Sequence, residues 1–229
     1  MPEIVPAIIA KSFDELKEKI SAVEAQVKTV QLDVMDGIFV PNKTWASPRD
    51  LEKLDTQLFL EAHLMIDTPH RVLNEWLASK VRRIILHWEV IEKIHNHELL
   101  PYKTQVDQYF PVGNLAEEIH RCGKEFGLAL NPKTPITVLG NFISKLDMVL
   151  LMSVEPGAAG QEFIPAVIPK IIALRQANQN VKIGVDGGVS LVNARELKEA
   201  GADFLVVGSG IFSNENPSQA ISQLKEAIK

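Results

Sequence analysis

Short apolar runs alternate with amphipathic stretches along all 229 residues. Eight runs have the length and apolar content of buried strands: 4–10, 29–33, 57–65, 81–86, 125–130, 148–152, 181–186 and 204–207. Helical spacing intervenes, most clearly over 12–26, where Phe13, Leu16, Ile20 and Val23 recur at intervals of three and four. Ser12 stands at an N-cap position, and Glu15 three residues on completes a capping box. The same period returns over 165–178, 191–201 and 217–229. Strands that alternate with helices predict βαβ units and a parallel sheet. Eight such units in this length fit a single (β/α)8 TIM barrel over residues 1–229 better than an open sheet. One segment, 90–114, breaks the rhythm. It holds both tyrosines and two prolines, shows no clean period, and is long for a βα connection. It is expected to be an insertion on the rim, a lid or subunit contact, or else an extra surface helix without a role.

Composition narrows the function classes. A 46% apolar share and 23% charged residues, with a mean hydropathy of +0.04, belong to a globule with a sizeable core. The 24 basic and 29 acidic residues leave a net charge of −5 with no basic cluster, so no nucleic-acid partner is expected. No apolar run approaches the ~20 residues that span a bilayer, so no membrane partner is expected either. A lone Cys122 excludes an internal disulfide framework. The N-terminal stretch lacks the pattern of a secretory signal, and a cytoplasmic protein is the expectation.

Candidate chemistry gathers at the strand ends. Alternation in the second strand puts Gln31, Asp33 and Met35 on one face and apolar Leu32 and Val34 on the other. The apolar pair must lie under helices, so the polar set points into the barrel. Glu61, His63 and Met65 do the same in the third strand, and the seventh ends in Asp186-Gly187-Gly188. Asp33, His63 and Asp186 thus converge where barrel active sites are built. Two carboxylates and an imidazole are costly to bury unless they hold a cation or share a proton. Glycines cluster in the last three βα loops: Gly157-Ala158-Ala159-Gly160, Gly187-Gly188, and Gly208 followed by Ser209. Loops after strands seven and eight are the usual phosphate cradle of this fold.

Several blocks carry a family resemblance. They are Leu32-Asp33-Val34-Met35-Asp36-Gly37 with Phe39-Val40-Pro41-Asn42, His63-Leu64-Met65, Val154-Glu155-Pro156-Gly157 with Gly160-Gln161, Val185-Asp186-Gly187-Gly188, and Gly208-Ser209. Together they resemble the ribulose-phosphate 3-epimerase family, over nearly the whole chain outside 90–114. The resemblance implies a barrel of the ribulose-phosphate-binding type and a phosphorylated pentulose substrate. It implies Asp33 and Asp186 as acid/base carboxylates that also ligate one divalent metal ion, with His63 as a third ligand. Zinc, manganese, iron, cobalt and magnesium are all compatible. Met35, Met65 and Met152 match thioethers near the reacting centre. Substrate and phosphate contacts fall to those residues with His63, Gly157, Ala158, Ala159, Gly160, Gly187, Gly188, Gly208 and Ser209. A homo-oligomer is expected.

Two departures bear on the chemistry. The family reads His-x-Asp where this chain has Gln31-Leu32-Asp33, and Pro-Ser-Ile-Leu where it has Pro6-Ala7-Ile8-Ile9. Gln31 replaces an imidazole ligand, so the metal is expected to be weakly held or absent. Ala7 removes a hydroxyl. A phosphosugar-binding homologue without epimerase activity is therefore the alternative. A decarboxylase or aldolase would want a lysine inside the barrel, and positions 31, 33, 35, 61, 63 and 65 hold none. His87, in Leu86-His87-Trp88-Glu89, matches a family His-x-Glu pattern after the fourth strand and is read as a hydrogen-bonded rim histidine in preference to a direct role.

Overall fold

The computed structural model describes residues 1–95 and 112–229. Eight parallel strands close into a barrel in sequence order: β1 (Glu3–Ile8), β2 (Thr29–Met35), β3 (Phe59–Met65), β4 (Arg83–His87), β5 (Glu125–Leu130), β6 (Met148–Met152), β7 (Lys182–Asp186) and β8 (Phe204–Val207). Around them run α1 (Phe13–Val23), α2 (Leu73–Leu77), α3 (Trp88–His95), α4 (Val112–Arg121), α5 (Val167–Ala177), α6 (Ala194–Ala200), α7 (Ser209–Phe212) and α8 (Pro217–Ala227). The crossovers from β2 to β3 and from β5 to β6 use 3-10 turns, Pro48–Lys53 and Ile136–Lys145, in place of α-helices. In the second crossover Gly140, at φ 38° and ψ −126°, breaks the helical path. Among the described residues no helix is long and apolar enough to cross a membrane.

Sequence and structure differ in instructive ways. The first strand stops at Ile8, and the carbonyl of Ala10 instead accepts from Trp45 N–H at 2.8 Å. Ser12 caps α1 by accepting from Glu15 N–H, but Glu15 answers by accepting from Lys11 N–H rather than from the cap residue itself. Segment 90–114 is not wholly irregular. Val90, Ile91 and Ile94 are buried on α3, which packs on β4 and β5, and 112–114 open α4. A lid or subunit contact there would fall mainly on 96–111, outside the described residues.

Alternation divides the core in two. Outward residues such as Val30, Leu32, Val34, Ile84 and Leu86 join the large core beneath the helices. Inward Val5, Ala7, Ile85, Ala129, Met148, Leu150, Met152 and Val206 fill the barrel. Room inside is tight. A Cβ on Gly184 would lie 2.1 Å from Met148 Cε and 2.8 Å from Leu150 Cδ1, so β7 contributes no side chain at that level. Towards the strand N-termini, Arg83 plugs the barrel, donating to Glu61 and Glu125 at 2.5 Å each with Phe59 and Phe204 against its guanidinium. Burial pushes Glu61 up to about 7, outweighing the pull of Arg83.

Candidate active site

The pairing register places the polar side chains at matching heights. Gln31 lies beside Glu61, Asp33 beside His63, and Met35 beside Met65 on β2 and β3, while Asp186 pairs with Met152 across β6 and β7. Because inward residues recur every second position, each match aligns two side chains in one interior layer. Asp33, His63, Met35, Met65, Met152, Gly157, Ala158, Ala159, Gly160, Asp186, Gly187, Gly188, Gly208 and Ser209 all line one pocket of about 480 Å³ at the strand C-termini. Ala7, Ile9 and Val154 add apolar wall, and no lysine is among the described lining residues.

At the pocket floor Asp33, His63 and Asp186 are buried, and one ligand-capable atom of each lies within 4.8 Å of the others. His63 Nδ1 is 3.4 Å from both Asp33 Oδ1 and Asp186 Oδ2. Gln31 sits among them. Its Nε2 donates to Asp33 Oδ1 at 2.7 Å and to Asp186 Oδ2 at 2.8 Å. Those two bonds use both amide hydrogens, so the 3.2 Å approach to His63 Nδ1 is a contact and not a third donation. Gln31 Oε1, also buried, has no hydrogen-bond partner.

The electrostatics follow from this packing. Burial alone would push His63 down, but hydrogen bonding and charge from Asp186 and Asp33 outweigh it and lift the imidazole to about 9. Burial raises Asp33, Asp186 adds to that rise, and His63 opposes it. The cluster thus demands a positive charge between its carboxylates. The donor set fits a cation: two carboxylates, one imidazole, and an amide whose idle carbonyl oxygen would face the group if the amide turned over.

Other residues shape the mouth. Thr44 Oγ1 donates to the Asp33 carbonyl at 2.9 Å and accepts from Met35 N–H at 2.8 Å, tying residues 36–44 back onto β2. Asp36 accepts from Ile38, Phe39 and Asp67 N–H, each at 2.8–2.9 Å. Across the opening Asn42 Nδ2 donates to the Gly157 carbonyl at 2.5 Å. Ser153 Oγ, buried under the pocket, donates to the carbonyl of Gly187 at 2.5 Å. Gly188, at φ +63°, lines the pocket among the residues expected to contact phosphate. A Cβ there would lie 2.7 Å from the backbone nitrogen of Phe163. Gly188 therefore permits the 157–163 segment to pack closely.

Sequence reasoning placed His87 on the rim. It is buried, with Nε2 2.8 Å from His63 Nε2 and Nδ1 3.3 Å from Glu89 Oε2. The alternation Arg83-Ile85-His87 was the signal that places it inside.

The profile of the ribulose-phosphate 3 epimerase family matches residues 3–212. This chain belongs to that family. A ribulose-phosphate 3-epimerase of Chlamydia muridarum is 38% identical over 84% of this chain and 80% of its own length. One from Bacillus subtilis is 34% identical over 98% of this chain and 99% of its own. In three dimensions the chain is similar to 3-hexulose-6-phosphate synthase from Salmonella typhimurium, at a TM-score of 0.69 and 14% identity over 99% of this chain and 98% of the other. At that identity the likeness speaks to the fold alone. Gln31 and Ala7, which the sequence resemblance marks as departures, lie at the pocket floor and wall.

Proposed function

We propose that this chain is an isomerase that inverts the carbon beside the carbonyl of a phosphorylated ketose, converting D-ribulose 5-phosphate to D-xylulose 5-phosphate. The observation that carries this reading is the pair Asp33 and Asp186. They stand on strands separated by β8 and β1, at the floor of one pocket, bridged by a single amide nitrogen. Inversion through an ene-diolate needs one group to take the C3 proton and another to return one to the opposite face, and two opposed carboxylates are that minimum. Burial supports the acid role, since it raises Asp33 above the ordinary carboxylate range and so favours the form that carries a proton. Met35, Met65 and Met152 surround the reacting carbon with soft apolar surface that excludes water.

The phosphate would rest on the loops of Gly157–Gly160, Gly187-Gly188 and Gly208-Ser209, whose backbone N–H groups suit an anion. Alanine at 158 and 159 keeps those groups. Asp33, His63 and Asp186, with Gln31 turned over, would hold one divalent ion. When bound, it supplies positive charge against the ene-diolate oxygens. Gln31 and Ala7 are the features a binding-only relative would explain. The presence of both carboxylates, in a family whose relatives carry the epimerase name, supports the enzyme. An acidic chain with one cysteine is consistent with the cytoplasm.

The test is turnover of D-ribulose 5-phosphate in deuterated water. Xylulose 5-phosphate should form with deuterium at C3, and Asp33→Asn and Asp186→Asn should each lower turnover by roughly 10²–10⁴-fold. Parent-like turnover in either variant refutes the assignment.

A further inference from the structure

Behind His63 runs a line of buried and half-buried polar groups that the acid/base chemistry leaves unused. The His63 and His87 rings are tilted by only 20°, with centroids 5.0 Å apart and Nε2 atoms 2.8 Å apart. The centroid separation exceeds the N···N distance by about one ring width, so the rings meet edge to edge, the direction in which an imidazole N–H donates. Beyond His87, Glu89 Oε2 faces Nδ1 at 3.3 Å. The other oxygen of Glu89 accepts from Asn131 N–H at 2.8 Å and from the Thr134 hydroxyl. Glu89 lies in the first turn of α3, directly after β4, and Asn131 and Thr134 follow β5, so the line is anchored to the backbone at its far end.

Counting protons along it gives a direction. An ionised carboxylate only accepts, so His87 carries its hydrogen on Nδ1. A neutral imidazole then offers only a lone pair at Nε2. The single hydrogen between the rings must therefore belong to His63 Nε2. In the uncharged imidazole the free electron pair is thus on His63 Nδ1, the atom that faces Asp33 and Asp186 and that a cation would meet in place of a proton. The surroundings agree. Asn131 N–H and the Thr134 hydroxyl both donate to Glu89, as they would to a carboxylate.

We propose that Glu89 and His87 are positioning residues whose hydrogen-bond relay holds His63 in its Nε2–H tautomer, keeping the Nδ1 lone pair aimed at the cation position between Asp33 and Asp186. The proposal rests on the reading of that group as a metal site.

Glu89→Gln tests it with unusual directness. The oxygen of the substituted amide must stay with Asn131 N–H and Thr134, so its NH₂ faces His87. An NH₂ group can only donate. His87 must then accept at Nδ1 and carry its hydrogen on Nε2, which drives the His63 hydrogen onto Nδ1 and blocks the ligand atom. Glu89→Ala merely removes the acceptor and leaves both tautomers open. Cobalt(II) titrations followed by visible absorption should therefore show the isosteric Glu89→Gln weakened by roughly 10–100-fold and Glu89→Ala weakened less. A merely structural role reverses that order, and the reversed order, or parent-like affinity in Glu89→Gln, overturns the relay. Two-bond ¹H–¹⁵N histidine spectra of the metal-free protein at alkaline pH should show the His63 hydrogen moving from Nε2 to Nδ1 in Glu89→Gln; no move overturns it equally. Asp33→Asn in the same titration separates the two readings. If Asp33→Asn binds cobalt as the parent does, the metal site itself is misplaced. If only Asp33→Asn weakens binding, the site stands and the relay falls.

Discussion

Raising the pH of the metal-free protein should unfold it more easily, in a window set by His63. Its imidazole has an ordinary value of 6.5 and sits at about 9 in the fold, because Asp186 and Asp33 outweigh the cost of burial. A folded value above the unfolded one means the charged form contributes stability that is fully present below 6.5 and is lost as pH rises through about 9. Each tenfold change in proton affinity is worth about 1.4 kcal/mol, so the whole contribution is about 3 kcal/mol, a substantial part of a domain's net stability. Glu61 acts in the same direction but earlier, between its ordinary 4.5 and about 7, and burial raises Asp33 the same way, so comparison with His63→Gln is what separates the His63 contribution above pH 7. The assay is urea unfolding followed through the three tryptophans, with chelator, at steps from pH 7 to above pH 9. The parent should lose stability across that range and His63→Gln should not. With saturating divalent cation the decline should vanish, since the ion takes the place of the Nδ1 proton. Parent stability that stays level without metal, or that falls equally in His63→Gln, refutes the charge assignment at the pocket floor.

Gln31→His should raise metal affinity by about tenfold or more and raise turnover with it, because an imidazole replaces an amide that now donates to the carboxylates; full, tight zinc occupancy in the parent, unchanged in the variant, contradicts this. Gly188→Val should raise KM for the sugar phosphate by about tenfold and weaken inorganic phosphate binding, through a strained φ of +63° and collision with Phe163 N; unchanged phosphate affinity by calorimetry argues against it. Arg83→Leu should cost about 3–5 kcal/mol in urea unfolding by stranding Glu61, and adding Glu61→Leu should recover much of it; no recovery in the double variant means the plug works by packing alone.

What the sequence showed depended on period. Alternation in β2 and β3 put Gln31, Asp33, Glu61 and His63 inside, because outward Leu32, Val34, Ala62 and Leu64 had to lie under helices. The same rule applied to β4 exposes His87, but Trp88 begins α3 directly after it and makes the strand end look like rim. Arg83 could not be paired with Glu61 from sequence, since only the Glu61-to-Arg83 register brings residues 22 apart to one level. That Gln31 departs from the family pattern was legible; that its nitrogen takes the bridging place while its oxygen is stranded is a fact of three-dimensional packing. Gly188 was legible as part of a glycine-rich loop, but its close neighbour, the Phe163 backbone 25 positions earlier in the chain, was not.

The threonine clamp at the end of β2 divides the labour of a ten-residue stretch. Thr44 holds the Asp33 carbonyl and the Met35 amide, whereas Asn42, two residues before it, reaches across the mouth to Gly157. Val40 lies against Gly157 closely enough that a Cβ there would come within 2.6 Å of it. The Asn42 tie therefore belongs to the mouth and the Thr44 clamp to the strand end. A substitution at Asn42 should loosen the contact across the opening and leave Asp33 seated, whereas one at Thr44 should disturb the seat of Asp33 itself.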